Sequence, residues 1–213
     1  MGAVQWASEN GIQVITHSNG ERASDLLIAA HRAAQARFPK ARDLRPVLIH
    51  GQFLREDQLD NFKALGVIPS LFPMHTFYWG DWYEQIVGPE QAARISPMRS
   101  ILSTGLHATS HTDAPVALPN LMQVAWATVN RTSRSGQVIG PDERVTPYEA
   151  MQMITIWGAE QFGEQATKGS IKEGKLADFV ILSDNPVTID PKDINRIQVL
   201  ETIKEGKSVW VRK

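Results

Sequence analysis

The sequence predicts an α/β fold built on a parallel sheet. Two observations carry that expectation. Short β-branched runs alternate with helical stretches through the first 130 or so residues, which is the pattern of right-handed βαβ units. The strand runs are of the buried type, as the strands of a parallel sheet are. A third observation sets a boundary. From Lys168 onward the pattern changes to short strands with Gly turns, a small β piece outside the main sheet. The domains expected are therefore residues 1–166 and residues 167–213.

Residues 1–10 read as the tail of a helix, closed by Asn10-Gly11. Residues 12–17 read as a first strand and 23–38 as a helix with apolar residues at helical spacing. Residues 45–50 form a second strand. Residues 55–66 form a helix that Gly66 closes, and residues 67–73 a third strand. The aromatic stretch from Phe72 to Glu84 reads as a loop, and residues 88–105 supply helical turns. Residues 106–113 read as a fourth strand, and residues 120–132 as a further helix. Thr146-Pro147-Tyr148-Glu149 is a capping box with Pro at the first helical position, opening a helix to about Phe162.

Composition removes several function classes. With 213 residues and 42% hydrophobic content the chain can bury an ordinary core. A net charge of −1, from 22 basic and 23 acidic residues, gives no electrostatic footprint for nucleic acid or a membrane surface. There is no cysteine, hence no disulfide framework and no thiolate metal site. The first residues have neither the basic nor the apolar region of a signal peptide, and no run reaches transmembrane length. A cytoplasmic location is the expectation.

The polar exceptions fall at strand ends. His17 ends the first strand and His50 the second, His75 follows the third, and Asp113 ends the fourth. The carboxyl ends of parallel strands share one face, and chemistry collects there. Imidazole and carboxylate are ligands for Zn²⁺, with Fe or Mn fitting the same donors. Such an ion polarises a carbonyl and lowers the pKa of water to about 7. Asp113 would move the proton to a leaving nitrogen. By strand alternation His107, His111 and Asp113 share a face. His111 would steady the carboxylate or a substrate group, and His107 reads as structural. His31, among Ala and Arg on a helix, reads as solvated. Ser110 lies close to Asp113, which leaves a metal-free hydrolase as another reading, but the chain has no Gly-x-Ser-x-Gly elbow.

At these residues the chain resembles the amidohydrolase superfamily, in the branch similar to N-substituted formamide deformylase. His17, Gly20, Glu21, Arg22 and Ala23 resemble the strand-five motif, with Glu21 in place of its usual Asp. Ile49, His50, Gly51 and Gln52 resemble the strand-six motif, with Ile49 in place of an acid. The segment holding Arg99 resembles the one before strand eight, and His111 to Val116 the strand-eight motif. Gly169, Gly174, Lys175 and Asp178 resemble the closing β-sandwich segment. The five motifs in order are specific, whereas each alone is weak.

The resemblance implies a partial (β/α)₈ TIM-type barrel, strands five to eight, with part of a small β-sandwich. It implies His17, His50 and Asp113 as metal ligands, with Asp113 also the acid and base. His75, Arg99 and His111 would contact a small-molecule substrate. The family's pattern opens with a His-x-His pair, and no such pair precedes His17. The expectation is a carboxyl-terminal half with an incomplete site and little activity alone, hydrolysing amide or cyclic amide C–N bonds when complete. A half barrel has unpaired sheet edges, so self-association or pairing with the missing half is expected. The alternative is a non-catalytic half barrel that folds by such association.

Overall fold

The computed structural model describes residues 2–213. Helix α1 (Gly2–Glu9) ends at Gly11, whose φ of 68° closes it. Four strands then form one parallel sheet in sequence order: β1 (Ile15–Ser18), β2 (Val47–His50), β3 (Ile68–Leu71) and β4 (Thr109–Ser110). The register aligns Ser18 with His50, His50 with Leu71, and Leu71 with Ser110. The carboxyl ends of all four strands therefore finish at one level.

Helices cover the outer face. In α2 (Glu21–Arg37), Leu27, Ala30, His31 and Ala34 are buried, the i, i+3, i+4, i+7 stripe of an amphipathic helix. Glu21 in its first turn and Arg37 in its last suit the helix dipole. Helix α3 (Glu56–Leu65) buries Leu59 and Phe62 and stops at Gly66. There φ is 68° and a Cβ would meet Arg42 Cγ at 2.8 Å, so glycine is required twice over. Leu48, Phe62 and Leu71 are fully buried between sheet and helices. Each such side chain contributes roughly 1.5–3 kcal/mol by leaving water.

Four sequence expectations change. The aromatic stretch is not a loop: Met74–Val87 is a helix, α4, held by Phe72 and Trp79 packing across its start. Short helices α5 (Pro89–Ala93) and α6 (Met98–Ser103) follow. The fourth strand is only two residues long, because the chain turns at Asp113, where φ is 51°. After α7 (Leu121–Asn130), the helix opened by the Thr146 capping box ends early. It is split into α8 (Pro147–Met153) and α9 (Ile156–Gln161) by Thr155 at φ −129°, ψ −95°. His31 is not solvated. It is 3% exposed on the buried stripe of α2.

The carboxyl-terminal residues form a separate antiparallel sheet, β5 (Phe179–Leu182), β6 (Val199–Lys204) and β7 (Lys207–Val211), in that order. A 3₁₀ turn, Pro191–Arg196, fastens this segment to α7. Trp126 Nε1 donates to the Lys192 carbonyl at 2.9 Å, Asn130 Nδ2 donates to that of Pro191 at 2.8 Å, and Ile194 is buried in the main core. Among the described residues no helix is long and apolar enough to cross a membrane.

Candidate metal centre

The strand ends build the site. Alternation along β2 puts His50 on the face of Leu48, away from the face that His17 shares with Ile49 by register. Position 50 leaves the strand conformation with φ 82°, and Gly51 follows at φ 53°. The His50 ring consequently stands edge-on to the His17 ring, with centroids 4.7 Å apart. A positive φ at a histidine costs on the order of 1–3 kcal/mol and persists only where the surroundings over-determine it. They do so here. A Cβ at Gly51 would lie 2.7 Å from Leu71 and 2.9 Å from Leu48, so the turn is wedged against the core.

Three imidazoles surround His50. Its ring centroid is 5.0 Å from His111, 5.8 Å from His75 and 4.7 Å from His17. Phe72 underlies them, stacked on His111 at 5.4 Å and 16°, and edge-on to His75 at 4.8 Å. His50 Nε2 stands 4.0 Å from Asp113 Oδ2, too far for a hydrogen bond. One ligand atom each from His50, His111 and Asp113 lie within 4.8 Å of one another. An open groove of about 530 Å³ on the inner face of the sheet reaches this cluster, lined by Ile49, Ser70, His111, Asp113, Met153 and Phe162.

Burial favours the neutral form of His50, His75 and His111. Burial pushes His75 down to about 3, and the neighbouring imidazoles push the same way. Burial also takes His111 down to about 4, with Asp113 opposing. His50 is lowered by burial first, against the pull of Asp113. A neutral imidazole keeps a lone pair for a cation. The donors fit one on a second ground. Nδ1 of His50, Nδ1 of His75 and Nε2 of His111 are buried without a hydrogen-bond partner. Buried polar atoms of this kind call for an explanation such as an ion.

The structure brings together His17, His50, His75, His111 and Asp113. Arg99 is engaged elsewhere. Its guanidinium makes two bonds to Glu149, of 2.9 and 2.6 Å, and one to the Arg144 carbonyl. His107 is half exposed, bonded to Glu160 at 2.6 Å and stacked on Trp157. Ser110 points its hydroxyl at Met153 Sδ, 3.5 Å away, leaving it no base.

One supporting residue went unread in the sequence. Arg131, 1% exposed, donates Nε to the Ile139 carbonyl, Nη1 to that of Ser96, and Nη2 to those of Ile95 and Ala93. Ser96 in turn donates its backbone N–H to Gln52 and its hydroxyl to the Phe72 carbonyl. One buried guanidinium thus holds the loops that follow β2 and β3. An arginine closing an otherwise apolar helix, at the end of α7, was the available signal.

Known proteins share the sequence pattern and the fold. The amidohydrolase family pattern matches residues 3–210. N-substituted formamide deformylase from Arthrobacter pascens is 30% identical over 201 residues, covering 94% of this chain and 37% of that protein. Protein LONG AFTER FAR-RED 3 from Arabidopsis thaliana is 30% identical over 206 residues, covering 96% of this chain and 35% of that one. An uncharacterized metal-dependent hydrolase from Pyrococcus furiosus superimposes with a TM-score of 0.70 at 26% identity, covering 88% of this chain and 36% of that structure. The chain spans little more than a third of the length of the curated relatives it matches.

Proposed function

The chain belongs to the amidohydrolase family, and from that premise we propose that it carries part of a metal-dependent hydrolase site that cuts non-peptide C–N bonds, those of amides and cyclic amides. The observation that carries the reading is the convergence of His17, His50, His111 and Asp113 at the carboxyl ends of parallel strands, with buried ring nitrogens left unpartnered. The parallel sheet is read as strands five to eight of a (β/α)₈ barrel. The antiparallel sheet is read as part of a β-sandwich domain, with the division at residues 166 and 167. The donor set suits zinc, and iron or manganese next.

A divalent ion held by His50, Asp113 and a second histidine would supply charge to polarise the scissile carbonyl. The chain's own groups do the rest. Asp113 accepts a proton from the attacking water and returns it to the leaving nitrogen. Phe72 and Trp79 wall the site and exclude water from one side. His75, buried and neutral, is placed to donate to a substrate oxygen. Arg99, tied to Glu149, holds the segment around Arg144 and Thr146.

The inner face of the sheet is open: Ile15 is 50% exposed and Phe162 55%. That exposure favours association with a second copy, or with chain corresponding to the rest of the relatives, and low turnover by the isolated chain. It equally favours a second reading, a non-catalytic half barrel. Elemental analysis of the purified chain, native mass measurement and an assay on N-substituted formamides separate the two. Near-stoichiometric zinc that is lost in a His17→Ala/His50→Ala variant supports the hydrolase site. No metal in either protein sinks it and leaves the second reading.

A further inference from the structure

We propose that Asp81 is a positioning residue for this site: through Ser133 and Ser135 it fixes the roll of helix α4, and with it the places of His75 and Trp79. The inference rests on the hydrolase reading above for the use of those places, while its test needs neither metal nor substrate.

The clasp is built within this chain. Asp81 Oδ1 accepts the hydroxyls of Ser133 at 2.5 Å and Ser135 at 2.8 Å, and Oδ2 accepts the Ser135 N–H at 3.4 Å. The Ser133 oxygen itself receives the Gln137 N–H at 3.2 Å, so its own proton is free to go to Asp81. These bonds, that of Ser133 first, hold the Asp81 carboxyl below its ordinary range. A hydrogen bond to an ionised group is roughly twice as strong as a neutral one. Two further bonds join the same segments. The Arg134 N–H donates to the Phe77 carbonyl at 2.9 Å, and Gln137 Nε2 donates to Glu84. At Gly80 the backbones nearly touch: a Cβ there would lie 3.0 Å from Ile139 Cγ1.

The far side of the clasp is anchored. Residues 131–139 turn back on themselves, with Thr132 bridged to Val138 and the Ser133 N–H donating to the Gln137 carbonyl at 2.8 Å. The base of this hairpin is Arg131, whose guanidinium reaches the carbonyls of Ile139 and Ser96. Ser96 in turn bonds Gln52, two residues beyond His50. The clasp therefore refers α4 to the same frame that holds the turn at His50.

The near side carries the site. His75 and Trp79, four residues apart, share a face of α4 with ring centroids 5.8 Å apart, and His75 is 5.8 Å from His50. Asp81 lies roughly 200° round the helix from Trp79. Phe72 meets Trp79 on one side, and the hairpin grips Asp81 on the other. A roll of α4 that parted Asp81 from Ser133 would carry both rings with it.

The test is the ring ¹H and ¹⁵N NMR spectrum of histidine-labelled, metal-free chain in wild type, Asp81→Ala, Ser133→Ala and the double variant, with circular dichroism for folding. Ser133→Ala, the milder change, carries the test if Asp81→Ala unfolds. The His75 signals are expected to move in both single variants, as the ring shifts against Phe72 and Trp79, while those of His107, bonded to Glu160, stay. The double variant should move His75 no further than Asp81→Ala alone, as partners in one interaction do. Amide exchange in α4 should quicken by about 10-fold or more, with that in α2 unchanged. His75 signals that stay in place in both single variants overturn the proposal however far Tm falls, because the bonds then serve stability alone. A double-variant displacement equal to the sum of the two singles overturns it as well. Zinc uptake by the wild-type chain reports on the hydrolase reading separately: its absence, with His75 displaced as stated, sinks that reading and leaves Asp81 as the residue that places His75.

Discussion

In the parallel sheet Val47, Leu48 and Leu71 are fully buried, whereas in the antiparallel sheet every residue of β7 from Lys207 to Val211 is exposed. The residue types are alike, since both sheets are rich in valine, leucine and isoleucine. What differs is cover. Helices close the outer face of the parallel sheet, while the antiparallel sheet is fastened mainly through the 3₁₀ turn and Ile194. The difference shows where a strained site can stand. His50 and Asp113 hold positive φ because a packed core fixes the strands beneath them. The antiparallel sheet carries none of the candidate ligands, and its positive φ outside glycine, 50° at Glu205, lies in the β6–β7 hairpin turn.

The largest expected break in this contrast is at Arg131. Replacement by Met removes five N–H donors and leaves the Ile95 and Ile139 carbonyls buried without a partner, while the Ser96 carbonyl keeps only the Met98 N–H. A loss of about 3–5 kcal/mol in urea unfolding is expected. Desolvation lowers this guanidinium only to about 10, so it stays charged at neutral pH. Arg131→Lys should recover little, because an ammonium cannot span the fork of carbonyls. A loss below about 1 kcal/mol would mean that the loops after β2 and β3 are held by something other than this hub.

How much of this was legible in the sequence depends on what fixed each feature. The strand ends were readable because β-branched runs are closed by glycine or proline, and the end of a strand sets the level of its last residue. The turn at His50 was not, because alternation assigns it to the face of Leu48 and only the following glycine hints at a reversal. His111 and Asp113 were placed on one face by extending a strand that in fact stops at Ser110. They come together through the turn at Asp113 instead. Helix α4 was missed because aromatic residues are indifferent helix formers, and packing on Phe72 decides the matter. The burial of His31 was legible and overlooked, since it lies four residues from Leu27 and three from Ala34 on one stripe. Arg99 was assigned by motif alone, and Glu149, which holds it, lies fifty residues away.

A smaller effect tests the edge of the well-packed half. The Arg99 guanidinium holds Glu149 down at about 2, below its ordinary 4.5, with partial burial opposing and the Thr146 N–H assisting. A depressed carboxylate stabilises the fold in full above about pH 4.5 and loses that contribution as pH falls towards 2. Glutamine keeps the oxygen that caps Thr146 and removes the charge, together with the acceptor that receives Arg99 Nη1. Glu149→Gln is expected to cost about 1 kcal/mol at pH 6, modest because the pair is partly solvated. The difference in Tm from wild type should vanish between pH 4.5 and 2. A difference that is independent of pH would assign the effect to packing rather than charge.

The smallest effect is expected in β7, and it carries the sharpest information about association. Val209 is 60% exposed and Trp210 48% on an edge strand whose free side pairs with nothing among the described residues. If that sheet is bare in solution, Val209→Ser changes stability by no more than about 0.5 kcal/mol, as surface substitutions do. If a second copy covers it, the same substitution costs more, and the cost grows with protein concentration because association stabilises by mass action. Unfolding of wild type and Val209→Ser at two concentrations a hundredfold apart separates the cases. An effect that is equal and small at both leaves the antiparallel sheet as an uncovered appendage of the buried half. A concentration-dependent effect makes it an interface, and the contrast between the two sheets then belongs to the isolated chain rather than to the assembled protein.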